Sequence, residues 1–295
     1  SDKYNEVLAN LTAEDQIFAY EEVRHTSGVT YREFKNTPKT LASFFEFGLS
    51  FPEWEFIVFN DERFTYQDIN KKAAQTANAL KNSGVKKGDR IAICMANNPE
   101  YIISFMAVTS IGAVCVLLNS WWVPNEIMYG LENSEATVLI ADEKRLLGLE
   151  KFTELKKIIV RPSNNSHDYQ NFNDFIGSQS DSFEELSLDT HDNATIFYTS
   201  GSTGFPKGVL STHRNILSTL FSWALVTTLK REVEDSDNNL DSESTDDSNP
   251  KQQSAILHCV PLFHVTGSHS GFLMSIIAGR KMVMMSKWDP ELHCS

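Results

Sequence analysis

Four short apolar runs, residues 90–96, 114–118, 136–141 and 157–160, alternate with helix signals, and no other feature narrows the available folds as much. Runs of that length read as strands buried on both faces, because a parallel strand between two helical layers takes apolar residues at consecutive positions. The intervening segments carry helix punctuation. Thr65 followed three residues on by Asp68 is a capping-box start, and Ile69, Ala73, Ala77 and Leu80 then recur at helical spacing until Gly84 stops the pattern. Asn98 and Pro99 supply an N-cap and a first-turn proline for the next helix, and Pro124 opens a further one. Strands alternating with helices predict an α/β fold built on a parallel sheet covered on both faces.

Beyond residue 160 the same reading gives a polar, Asn/Ser/Asp-rich surface connection over 163–192. A strand over 194–199, a Gly-rich loop, a long helix capped by Thr212 and running to Leu229, and strands over 255–261 and 281–285 follow. Residues 232–253 hold eight acids and one base, Lys251, the composition of a disordered, solvated insertion. Residues 101–118 are almost continuously apolar, near the minimum for a membrane span. Gly112 sits where a buried helix would end, with a β-branched strand after it, so no stable span is expected. There is no repeat of solenoid period.

Net charge restricts the partners. With 39 acidic and 26 basic residues the chain carries −13, which repels nucleic acid phosphates and anionic lipid. Cys94, Cys115, Cys259 and Cys294 form no CxxC pair, and three sit in apolar runs, so a reducing compartment is expected. Residues 1–11 carry no secretory or transit pattern.

The segment Tyr198-Thr199-Ser200-Gly201-Ser202-Thr203-Gly204-Phe205-Pro206-Lys207-Gly208-Val209 is a hydroxyl- and glycine-rich loop, expected between a strand and a helix. Three glycines let backbone N–H groups approach an anion, four hydroxyls donate to its oxygens, and Lys207 adds a mobile positive charge. It is neither the G-K-[ST] phosphate loop of kinases and GTPases nor GxGxxG. A merely flexible Gly/Ser loop would explain the glycines but not the ordered Tyr-Thr-Ser-Gly, Thr-Gly and Pro-Lys-Gly after an apolar strand. Taken alone, His264 reads as a histidine at a strand end, and its spacing to His258 and His269 mimics a metal site.

This loop resembles the signature phosphate loop of the adenylate-forming superfamily, which includes acyl-CoA synthetases, luciferases and peptide-synthetase adenylation domains. Phe64-Thr65-Tyr66, Lys87-Gly88-Asp89-Arg90, Ser211-Thr212-His213-Arg214-Asn215 and Pro261-Leu262-Phe263-His264 resemble further stretches of the family in the same order. The resemblance implies a layered, parallel-sheet N-terminal domain of the acyl-CoA synthetase/luciferase type. It implies joining of a carboxylate to AMP with release of pyrophosphate, then attack by coenzyme A on the acyl-adenylate. ATP, Mg²⁺ and coenzyme A are the implied ligands. Thr199, Ser200, Gly201, Ser202, Thr203, Gly204 and Lys207 would hold the phosphates, Thr203 would meet Mg²⁺, and His264 would be catalytic, beside the acyl pocket. The Pro-Leu-Phe-His form is similar to acyl-CoA synthetases, which shifts the expected small-molecule acid toward a fatty or aryl one.

The family's later signatures, an aromatic-Gly-x-Thr-Glu segment, a ribose-binding aspartate, a hinge and a catalytic lysine, are not found in these residues. Asp289, Pro290 and Glu291 open a helix with four residues left to build it. Residues 1–295 are therefore expected to be an incomplete large domain without the small C-terminal domain, a weak nucleotide binder on its own. A noncatalytic nucleotide- or partner-binding product, an amino-acid-activating adenylation domain and a membrane-bound transporter with synthetase homology are the alternatives. Cytosol and peroxisome are the expected compartments.

Overall fold

The computed structural model describes residues 2–24, 28–150, 152–164, 168–199, 204–238 and 252–286. The helix start expected at Asp289 lies outside them. The chain divides into two compact units, residues 1–39 with 214–252 and residues 40–213 with 253–295.

The first unit holds α1 (Asp2–Leu11), the antiparallel hairpin of β1 (Tyr20–Arg24) and β2 (Thr30–Phe34), and nearly all of α8 (His213–Asn238). Rings of Phe18, Phe34 and Phe221 meet at centroid distances of 6.2 to 6.5 Å. Arg214 pairs with Glu33 at 2.9 Å and lies 4.3 Å from the centre of the Tyr31 ring. The helix starts directly after Thr212 but outruns the expected end at Leu229 and enters the acidic segment. Glutamate is a good helix former, and Lys230 and Glu234 sit one turn apart at 3.8 Å. Residues 239–251 of that segment lie outside the described residues.

The second unit begins with α2 (Leu41–Phe45), β3 (Glu55–Phe59), β4 (Glu62–Thr65) and α3 (Tyr66–Asn82). Thr65 and Asp68 close the predicted capping box on α3. Next come β5 (Arg90–Cys94), α4 (Pro99–Ser110), β6 (Val114–Leu117), α5 (Pro124–Ser134), β7 (Val138–Asp142), α6 (Glu143–Leu146) and β8 (Lys156–Val160). Asn98 occupies the N-cap of α4, yet its side chain makes no capping bond. Its neighbour Asn97 is the residue whose amide is engaged, as described below. The polar stretch is more ordered than its composition suggests. It contains β9 (Gln170–Asn171) and α7 (Phe172–Ile176), anchored by buried Phe172 and Ile176.

A seven-stranded sheet runs in the order β11, β10, β6, β5, β7, β8, β9, where β10 is Asn193–Thr199 and β11 is Lys207–Thr212. All neighbours are parallel except β10 and β11. Helix α4 is buried at every residue and the strand Val114–Leu117 follows it, the helix-then-strand arrangement expected for residues 101–118. Among the described residues no helix is long and apolar enough to cross a membrane. Cys94 and Cys115 are buried within this sheet, and Cys259 is half-buried.

A second sheet, invisible in the helix–strand alternation, has the order β12 (Ala255–His258), β13 (Lys281–Met284), β3, β4. A π-helix, Thr266–Leu273, and α9 (Met274–Ala278) lead from β12 to β13. Phe272 on the π-helix touches Phe105 of α4 edge-on at 5.5 Å and Phe56 of β3 at 6.3 Å. Through these rings the second sheet is fixed against the helical layer of the first.

Candidate active site

In an open parallel sheet the connections leaving the carboxyl ends of the strands gather on one rim. Here the rim above β5, β6 and β10 bears a cavity of about 510 Å³ lined by Asn119, Trp122, Glu126, Tyr198, Thr199, Gly204, Pro206 and His264. It unites the hydroxyl-rich loop with the histidine, 65 residues apart in the chain.

The loop is not placed between a strand and a helix. Lys207–Thr212 forms β11, which pairs antiparallel with β10, Lys207 standing opposite Thr199. The β-branched and hydroxyl residues Val209, Ser211 and Thr212 favour the extended chain, and the helix waits until His213. Hence, among the described residues, the loop does not lead directly into a helix, and an anion there would be met by hairpin amides, hydroxyls and Lys207. Thr199 and Gly204 face the cavity, the latter at a φ of +96° that suits glycine. Ser200, Gly201, Ser202 and Thr203, and with them the expected Mg²⁺ contact at Thr203, lie outside the described residues.

The loop base is anchored on α5. Tyr129 donates to the Pro206 carbonyl at 3.1 Å, and its ring lies 5.0 Å from that of Phe205. Tyr198 points the opposite way from Thr199, bonding the Gly130 carbonyl at 3.1 Å and the Asn133 side-chain oxygen at 2.8 Å. Burial pushes its hydroxyl up to about 12, so it stays protonated as an anchor.

His264 is carried on the turn between β12 and the π-helix. Buried Asn97, just past β5, clamps that turn: its amide donates to the Val260 carbonyl at 3.0 Å and its oxygen accepts from the Leu262 N–H at 2.9 Å. Beyond the turn, Gly267 lets the chain pass where a Cβ would lie 2.2 Å from the Pro261 carbonyl oxygen. His264 is exposed, and its ring lies tilted against Phe263 at a centroid distance of 4.6 Å; Trp121 meets Phe263 edge-on at 5.3 Å. The neighbouring loops are tied by Asp142, which accepts from the Ala96 N–H at 2.9 Å and pairs with Arg145 at 3.1 Å; Arg145 also donates to the Ser120 carbonyl at 2.9 Å.

His258 and His269 do not join His264 as ligands. Both are buried, His258 against Gly271 and His269 edge-on to Phe197 at 5.4 Å, and burial pushes each imidazole down to about 4. Among the described residues no group of three His, Cys, Asp or Glu side chains could hold a metal ion. The cavity does offer oxygen donors, the Thr199 hydroxyl, the Glu126 carboxylate and the Asn119 amide, the donor chemistry that Mg²⁺ accepts alongside phosphate. Asn97, Asn119, Trp122 and Glu126 escaped the sequence reading, although the rule that parallel sheets gather ligands at their carboxyl rim pointed to the residues after β5 and β6.

Residues 44–294 match the AMP-binding enzyme family, and the chain belongs to it. It is 26% identical over 236 residues to 4-coumarate–CoA ligase of Vanilla planifolia, covering 78% of this chain and 39% of that protein. Its fold is similar to an anthranilate CoA ligase seen with anthranoyl-AMP (TM-score 0.70, 22% identity, covering 84% of this chain and 45% of that one). It is likewise similar to a fatty acyl CoA synthetase of Mycobacterium tuberculosis (TM-score 0.66, 24% identity, covering 85% and 45%). The chain thus spans about two fifths of the length of the curated relatives it matches, 39% for the Vanilla enzyme.

Proposed function

We propose that this chain forms the phosphate- and acid-binding part of an ATP-dependent ligase that activates a carboxylic acid as its adenylate and passes the acyl group to coenzyme A. The observation that carries this reading is the convergence of Thr199 and Gly204 with His264 on one cavity of a chain belonging to the AMP-binding family. The hairpin from Thr199 to Lys207 would take the β- and γ-phosphates, its hydroxyls and amides donating to the oxygens on which charge develops. Mg²⁺, held near the Thr199 hydroxyl and the Glu126 carboxylate, would neutralise the triphosphate. Lys207, across the ladder from Thr199, would supply a cation. His264, on the opposite wall, stands where the acid's carboxylate would meet the α-phosphate. Its Phe263 and Trp121 neighbours keep one side of that meeting point apolar. Both fatty and aryl acids suit such a wall, and ligases for both kinds are among the similar proteins.

Calorimetric titration of the chain with MgATP tests the reading. Lys207→Ala should weaken binding about ten-fold, the effect of losing one charge-assisted contact, with the melting temperature unchanged. Equal affinity of a folded variant would remove the hairpin from the nucleotide site.

A further inference from the structure

Helix α4 leaves the carboxyl end of β5 and runs 12 residues, about 18 Å, to Ser110, at the end away from the candidate active site. There a cleft of about 470 Å³ opens between the 3₁₀ turn Glu46–Ser50 and residues 183–186. Leu49, Phe183 and Leu186 supply its apolar lining, and the two leucines stand 40% and 41% exposed. Glu46, Glu184 and Glu185 surround them. Lys81 pairs with Glu184, while among the described residues no lysine or arginine lines the cleft.

One wall of the cleft is a straight stretch of chain pinned at both ends. Residues 183–189 form no helix, strand, turn or bend. Just before them, Asn78 of α3 donates to the Ser180 and Ser182 carbonyls, each at 2.9 Å. At the other end Leu188 packs against Gly112, and the Asp189 carbonyl accepts the Asp192 N–H at 3.0 Å. Between the pins the main chain of residues 183–188 makes no hydrogen bond among the described residues. Amides and carbonyls so placed are met by water and are free to pair with an added strand, and the pinning lowers the entropy that pairing costs. An apolar side chain of that strand would enter the cleft. Lys or Arg beside it would carry charge on long stems to the carboxylates around the rim.

We infer that this cleft docks an extended, basic peptide segment of another protein. The segment adds as a strand to residues 183–188, seats an apolar side chain against Leu49, Phe183 and Leu186, and pairs its cations with Glu46 and Glu185. Charge complementarity selects this occupant. A second copy of the chain, itself at −13, would bring repulsion to the same rim.

The test is fluorescence anisotropy of a labelled hexapeptide of alternating leucine and lysine, titrated with the 295-residue chain. Two control peptides accompany it, one with glutamate in place of lysine and one N-methylated at alternate residues. The basic peptide should bind saturably, weaken as salt is raised, and bind about ten-fold more tightly than either control. Glu46→Gln combined with Glu185→Gln should weaken it about five-fold, and Leu186→Ala by a similar factor, each with an unchanged melting temperature. Glu154→Gln, an exposed carboxylate elsewhere, should leave binding unaltered. Equal binding of the three peptides, or no saturable binding, overturns the inference. Undiminished binding by the folded cleft variants, or an equal loss in Glu154→Gln, does the same. Self-association of the chain that the cleft variants abolish would make a second copy the occupant and also overturn it.

Discussion

His213, His258 and His269 are each pushed down to about 4 by burial, so near neutral pH they are uncharged within the second unit. His213 accepts the Leu41 N–H on Nδ1 at 3.0 Å, a bond that protonation of that nitrogen would destroy; Asp192 and Lys87 act on it with opposite signs. Unfolded, each imidazole titrates near 6.5. Between roughly pH 6.5 and 4 the unfolded chain therefore binds more protons than the folded one, and acidification favours unfolding. The contribution is fully present above pH 6.5 and lost as pH falls toward 4, on the order of 3 kcal/mol for each imidazole. Thermal melts from pH 7 down to pH 5, above the main carboxylate range, should show a steadily falling midpoint. A flat midpoint would mean that the three rings are open to water.

At the scale of elements, the turn bearing His264 depends on backbone fit more than on its own residue pattern. Gly267→Ala would drive a Cβ into the Pro261 carbonyl, a backbone atom that cannot swing aside. The variant should lose about 2–3 kcal/mol on denaturant unfolding. A loss under about 0.5 kcal/mol would show the turn to be pliant. Strands β5 to β8 and helices α3 to α5 were legible because continuous apolar runs, a capping box and first-turn prolines act locally. The second sheet was not, since β3 and β4 precede the alternation and β3 pairs with β13 more than 200 residues later. The phosphate loop was legible in composition but misplaced in context. The turn toward a strand at Lys207 is decided by pairing with β10, which no local signal at that position records. Asn97 was hidden for the same reason: its partners, Val260 and Leu262, are distant in sequence.

At the scale of the whole molecule, the parallel sheet supplies a rim, the hairpin and the His264 turn bring chemistry to it, and the AMP-binding family gives that rim its meaning. Hydrogen–deuterium exchange of the chain with and without MgATP tests this most directly, because it locates the nucleotide without altering a residue. Slower exchange is expected over residues 199–207 and 260–268, with no change around Asp168 and Asp174, which line a separate cavity of about 460 Å³ beside β8 and β9. Protection at that second cavity, or saturable binding that leaves the hairpin amides unprotected, would contradict it.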